Sequence, residues 1–105
     1  MAFKEVALIR VPDVEPEKHR CELETPKYKL FVRLVRNQSQ AVEVCQSLVK
    51  EEGIHSIILC AGFTHKNIAE IAEVVGPNVG ISVARGDGPG NKVAAAAMEK
   101  EGWFE

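Results

Sequence analysis

A chain of 105 residues, 46% apolar and 27% charged, with a formal net charge of -2, has the makeup of one globular α/β-sized domain and excludes a charged disordered tail. That charge gives no general attraction to nucleic acid, and no apolar run approaches the roughly 20 residues a bilayer span needs. The 3 cysteines are odd in number and follow no metal or disulfide spacing, so a cytoplasmic setting is expected.

Residues 1–5 lead directly into a strand pattern, with no signal-peptide region. Residues 6–11 (Val-Ala-Leu-Ile-Arg-Val) read as a strand buried on both faces, stopped by Pro12-Asp13. Residues 12–27 hold Pro12, Pro16 and Pro26 among many charges. They read as a loop with at most one short helix over 17–23, since Pro16 suits a first helical position. Leu30, Val32 and Leu34 then alternate with Lys29, Phe31 and Arg33. Period two with polar residues on one side marks an edge strand.

Asn37 or Ser39 can cap the next element, where Ala41, Val44, Cys45, Leu48 and Val49 form one helical stripe before Gly53. Residues 54–60 are a second central-type strand. Thr64 can cap a helix with Ile68, Ile71, Ala72 and Val75 on one side and Gly76-Pro77 as its stop. The last strand covers 79–84. After the glycine-rich loop 85–90, Asn91 can cap a final alanine-rich helix. Its small side chains suit a close approach to the flat Gly80, Ser82 and Ala84 side of that last strand.

Strands alternating with helices predict a small flavodoxin-like three-layer sandwich: one α/β domain, residues 1–105, around a mainly parallel four-stranded sheet of order 2-1-3-4. The connection direction reverses after the second strand. In such sheets ligands bind outside the strand carboxyl ends at that reversal. The expected crevice lies between the loop from Pro12 and the turn 60–65.

Cationic or potentially cationic side chains gather along that edge. Arg10, Arg36 and Arg85 end strands, His65 and Lys66 open one helix, and Lys92 opens another. A helix N-terminus ordinarily attracts acidic residues, so cations there cost a few tenths of a kcal/mol unless an anion sits nearby. Gly62, Phe63, Thr64, His65, Arg85, Asp87 and Arg36 are therefore the candidate ligand-binding residues, for an anionic metabolite. The alternative is that these side chains simply point to water.

The Gly86-x-Gly88-x-Gly90 loop fits neither the dinucleotide fingerprint nor the Walker loop, because Asn91-Lys92-Val93 follows it. Asp87 suits a sugar hydroxyl, a metal or a plain turn. Cys60 with His65 is the one pair that suggests nucleophilic catalysis, since a thiol near a helix N-terminus ionises more readily. A small core residue is the competing role for Cys60. His19 sits in a solvated charge run, no ligand spacing predicts a metal site, and no cofactor is identified.

Residues 16–20 (Pro-Glu-Lys-His-Arg), 24–26 (Glu-Thr-Pro), the helix over 41–48 and the turn 59–63 (Leu-Cys-Ala-Gly-Phe) resemble a family of short, uncharacterised microbial α/β proteins. Relatives carry a Cys-Gly-Gly-Phe-Gly-His turn, and Ala61 and Thr64 replace two of those glycines here. The resemblance implies a site at Cys60, Gly62, Phe63 and His65, with His19 and Arg20, and carries no established activity. Three functions follow as expectations: a binding module for an anionic small molecule, a small enzyme using Cys60 or His65, or a homo-oligomeric, dimeric subunit. For the last, the contact surfaces would be Trp103-Phe104 and the edge strand with Tyr28 and Phe31.

Overall fold

A computed structural model describes residues 1–85 and 89–104, the side chains of Pro89 and Gly90 excepted. The described elements, in chain order, are β1 (Phe3–Arg10), β2 (Arg20–Glu24), β3 (Tyr28–Val35), α1 (Gln38–Glu52), β4 (Ser56–Leu59), α2 (His65–Val75), β5 (Gly80–Val83) and α3 (Pro89–Lys100). They form an α/β fold around a five-stranded sheet of order β2-β3-β1-β4-β5. All neighbours are parallel except β2 and β3, which are antiparallel.

The two central helices start and stop where local chemistry dictates. The Asn37 side chain accepts the Gln40 N–H at 2.9 Å, and Gly53 closes α1 at φ 64°, a left-handed turn that glycine adopts without steric cost. Thr64 and Asn67 form a reciprocal capping box at the start of α2.

The expected four-stranded sheet is corrected by β2. The four strands named from the sequence keep their relative order, and Arg20–Glu24 adds an antiparallel edge outside them. Segment 17–23 is thus no helix. In β2, Arg20, Glu22 and Glu24 alternate with Cys21 and Leu23, and a turn at Thr25-Pro26 folds the strand back onto β3. The Thr25 hydroxyl accepts the Lys27 and Tyr28 N–H groups in that turn. The strand with Tyr28 and Phe31 is consequently interior, flanked by β2 and β1, and Phe31 is buried.

The three-layer expectation is also corrected. Val6, Leu8, Phe31, Val35, Ile57 and Leu59 line one sheet face and share a single core with Ala41, Cys45 and Leu48 of α1 and Ile71 and Val75 of α2. Handedness explains this. The crossovers β3–α1–β4 and β4–α2–β5 both advance across the sheet in the same direction, so right-handed connections put both helices on one side. The reverse step, β1 to β3, would put a helix on the other side, but it contains β2 instead.

The second face carries Ala7, Ile9, Leu30, Val32, Leu34 and Ile58, all only half-buried. The β1 strand is therefore buried on one face, not two. The apolar alternation in β3 is inverted relative to the sequence expectation: Phe31, Arg33 and Val35 face the core, and the leucines and Val32 face away. Arg33 is tolerated there because its guanidinium bonds the Cys21 and Val32 carbonyls and Glu22 Oε1 at 2.8 Å, and lies 5.4 Å from the Phe31 ring.

Helix α3 begins at Pro89, two residues before the expected cap Asn91. Gly102, at φ 80°, and the bond from the Trp103 N–H to the Met98 carbonyl end it. Val93 and Ala94 to Ala97 are all exposed, so α3 does not land on the Gly80 and Ser82 side of β5.

Candidate functional site

Phe63 anchors the carboxyl edge of the sheet. The chain leaves β4 at Leu59, and the Cys60 N–H donates to the Leu8 carbonyl, extending the β1–β4 ladder by one step. The Phe63 N–H then donates to the Cys60 carbonyl at 3.4 Å, which turns the backbone so that the Phe63 ring enters the core. Thr64 follows as the cap of α2.

Arg10, at the end of β1, reaches this turn twice. Its backbone N–H donates to Cys60 Sγ at 3.4 Å, and its guanidinium lies 5.7 Å from the Phe63 ring centroid. That distance is within cation–π range. It holds a cation over the crevice between β1 and β4, where the strand order reverses.

Beside this crevice lies an open cleft of about 410 Å³, lined by Ala61, Phe63, His65, Ile68, Val83, Ala84 and Arg85. The Ala84 N–H bonds the Leu59 carbonyl at 2.8 Å, which extends the β4–β5 ladder by one step up to Arg85. His65 is the first residue of α2 and is exposed. The leading backbone N–H groups of a helix have no acceptor within it. The cleft thus combines apolar walls with the Arg85 guanidinium, the His65 imidazole and the electropositive end of α2.

The structure brings Gly62, Phe63, Thr64, His65 and Arg85 to this one edge, together with Cys60. Gly62 packs over the thiol: a Cβ there would lie 3.6 Å from Cys60 Sγ. Cys60 is half-buried, its sulfur accepts the Arg10 N–H, and among the described residues no hydrogen bond joins it to His65. Asp87 lies outside the described residues. Arg10 is the residue that sequence reasoning undervalued. The signal for it was position: with β1 and β4 paired, the end of β1 lies beside the turn that follows β4, and Leu8 opposite Leu59 brings Arg10 to it.

Arg36 and Arg20 go elsewhere. They line a second cleft of about 660 Å³ between β2 and α1, where Arg33, Glu22, Glu43 and Glu51 also stand. Cations and carboxylates are mixed there. Arg33 holds the Glu22 carboxyl below its ordinary range through their hydrogen bond. The Arg36 N–H is closed off by Gln40 Oε1 at 2.8 Å. His19 Nδ1 accepts the Glu15 N–H within a tight turn, so it serves local structure.

Among the described residues no group of His, Cys, Asp and Glu could hold a metal ion, and no helix is long and apolar enough to cross a membrane. Comparison with curated proteins and with solved structures found no match. A family model does match, over residues 3–99. That span takes in every described strand and nearly all of α3, and the chain belongs to the family of unknown function DUF6506.

Proposed function

We propose that this protein binds a small amphipathic anion, a carboxylate or phosphate on an apolar body, in the cleft at the carboxyl edge of β4 and β5. The observation that carries this reading is the meeting of Phe63, Ile68 and Val83 with His65 and Arg85 in one cleft, beside Arg10. The apolar walls take the body of the ligand. The start of α2 and the guanidinium groups take the charge, and arginine does so in bidentate fashion. Cys60 acts as packing beneath the turn, holding Arg10 and Gly62 in place.

The test is a thermal-shift panel of free phosphates, nucleotides and aliphatic and aromatic carboxylates. A ligand at about 100 times its Kd adds about 2.7 kcal/mol, which moves the midpoint of a domain this size by on the order of 10 °C. Arg85→Ala and His65→Ala should each remove most of that shift. Equal shifts in the variants would reject the cleft, and a flat panel across all ligand classes would reject the function.

A further inference from the structure

We infer that the bare sheet face is covered by α3 of a second copy of this chain, so that two protomers exchange their last helices. Two separate observations meet here. The first is the face itself, where Ala7, Ile9, Leu30, Val32, Leu34 and Ile58 stand together with no helix over them among the described residues. Exposed Leu23 of β2 continues the patch at one edge, opposite Leu30, and Phe3, stacked on Tyr28 at 5.9 Å, continues it at the amino end. Patches of this kind on soluble chains mark interaction surfaces.

The second observation is α3. Among the described residues it makes no substantial contact with any strand or helix of its own chain, and Val93 is 72% exposed. Val93, Ala94, Ala97 and Met98 fall on one stripe at helical spacing. A free helix of 12 residues is marginal in water unless an apolar stripe is packed. One chain therefore carries both an apolar sheet face without a helix and an apolar helix stripe without a sheet.

Dimensions favour the match. Twelve residues make a helix about 18 Å long and about 10 Å across, while four strands by four or five residues give a patch of roughly 19 by 15 Å. Small residues on the stripe allow close approach to the branched side chains of the sheet. In the structure the helix stands away from its own sheet, and the molecule is drawn out to 42 Å along one axis against 26 and 25 Å on the others. Two reciprocal contacts, with Trp103 and Phe104 at their ends, bury on the order of 1,000 Å², where specific interfaces begin. Exchange of identical elements closes with two-fold symmetry and leaves neither surface free.

The test uses full-length chains. Light scattering over a concentration series should give the mass of two chains, and Ala97→Glu should give one. Ala97 is exposed in the protomer, so circular dichroism of that variant should match the parent. Two differently tagged chains, one with Ile58→Cys and one with Ala97→Cys, both in a Cys21→Ser background, should form a disulfide between the tags when mixed and oxidised. A parent that is monomeric at all concentrations overturns the proposal. So does a disulfide that forms only within a chain carrying both substitutions, because α3 then covers its own sheet. A dimer that Ala97→Glu leaves intact and that gives no cross-chain disulfide also overturns it. Ligand binding at the β4–β5 edge enters none of these readouts, so either proposal can fail alone.

Discussion

Ile57 and Ile58 are neighbours on β4, yet they face two different worlds. Ile57 is fully buried between the sheet and the α1–α2 layer, whereas Ile58 points to the face that, among the described residues, no helix of its own chain covers. The residue type is the same, so the difference lies wholly in what topology puts above each one. Two crossovers in one direction built a complete core on one side. The missing return helix left the other side finished in composition but not in packing.

This comparison can be broken by truncating each residue in turn. Ile57→Ala should cost about 2–5 kcal/mol, the range for a core isoleucine that leaves a cavity. Ile58→Ala should cost clearly less in dilute solution, because a half-exposed side chain has less transfer energy to lose. Urea midpoints at micromolar protein measure both. Equal losses for the two residues at that dilution would mean that the second face is covered within the single chain. A cost for Ile58→Ala that grows with protein concentration would instead point to a cover supplied by a second copy.

The same contrast shows which features local sequence could and could not reveal. The stripe Ala41, Cys45, Leu48 and the stops at Gly53 and Gly76 were readable because helix periodicity, capping and left-handed turns are local physics. The turn 60–65 was readable for the same reason, since strand end, cap and first helical turn follow one another within a few residues. The face assignment of β3 was not. Period two says that Leu30, Val32 and Leu34 share a side, but only partners decide which side is the core. Arg33 misled because a lone arginine reads as solvent-facing, while here Glu22 and two carbonyls from β2 and β3 satisfy it. Strand β2 was hidden by its charges and the three prolines around it. Its alternation of Arg20, Glu22 and Glu24 with Cys21 and Leu23 was the available signal. The position of α3 depends on long-range packing, about which an alanine run says nothing.

The cysteines sharpen the comparison at intermediate size. Cys45 sits in the α1 core, and burial pushes its thiol from 9.0 up to about 12. Cys21 is exposed on β2, on the side of the bare face. In the unfolded chain Cys45 ionises above about pH 9 while the folded chain holds the proton, so the unfolded state binds fewer protons there. Stability should therefore fall as pH rises from about 9 toward 12, by up to about 1.4 kcal/mol per unit. Cys45→Ala should flatten that alkaline slope in urea titrations at pH 8.5 to 10.5, whatever it does to the neutral-pH midpoint. An unchanged slope would remove the assigned cause. A thiol reagent at pH 8 should label Cys21 quickly and Cys45 only as fast as the domain opens, so rapid labelling of both would contradict a closed core on the α1 side.

The smallest effect belongs to the rim where the covered face meets the edge strand. The Arg33 guanidinium bonds Glu22 at 2.8 Å, and the glutamate side chain is 42% exposed. The hydrogen bond and the charge of Arg33 lower the Glu22 carboxyl from its ordinary 4.5, so the ion pair stabilises the fold above that value. The contribution is lost as pH falls through the lowered folded value, and solvent and salt reduce its size at such a site. Glu22→Gln should accordingly lose less stability than the parent on going from pH 5.5 to 3, most visibly at low ionic strength. Parallel acid limbs for the two proteins would show that Arg33 is held by the Cys21 and Val32 carbonyls without help from Glu22. The carboxylate would then be a surface charge, and the buried arginine would owe its place to the backbone carbonyls of β2 and β3 alone.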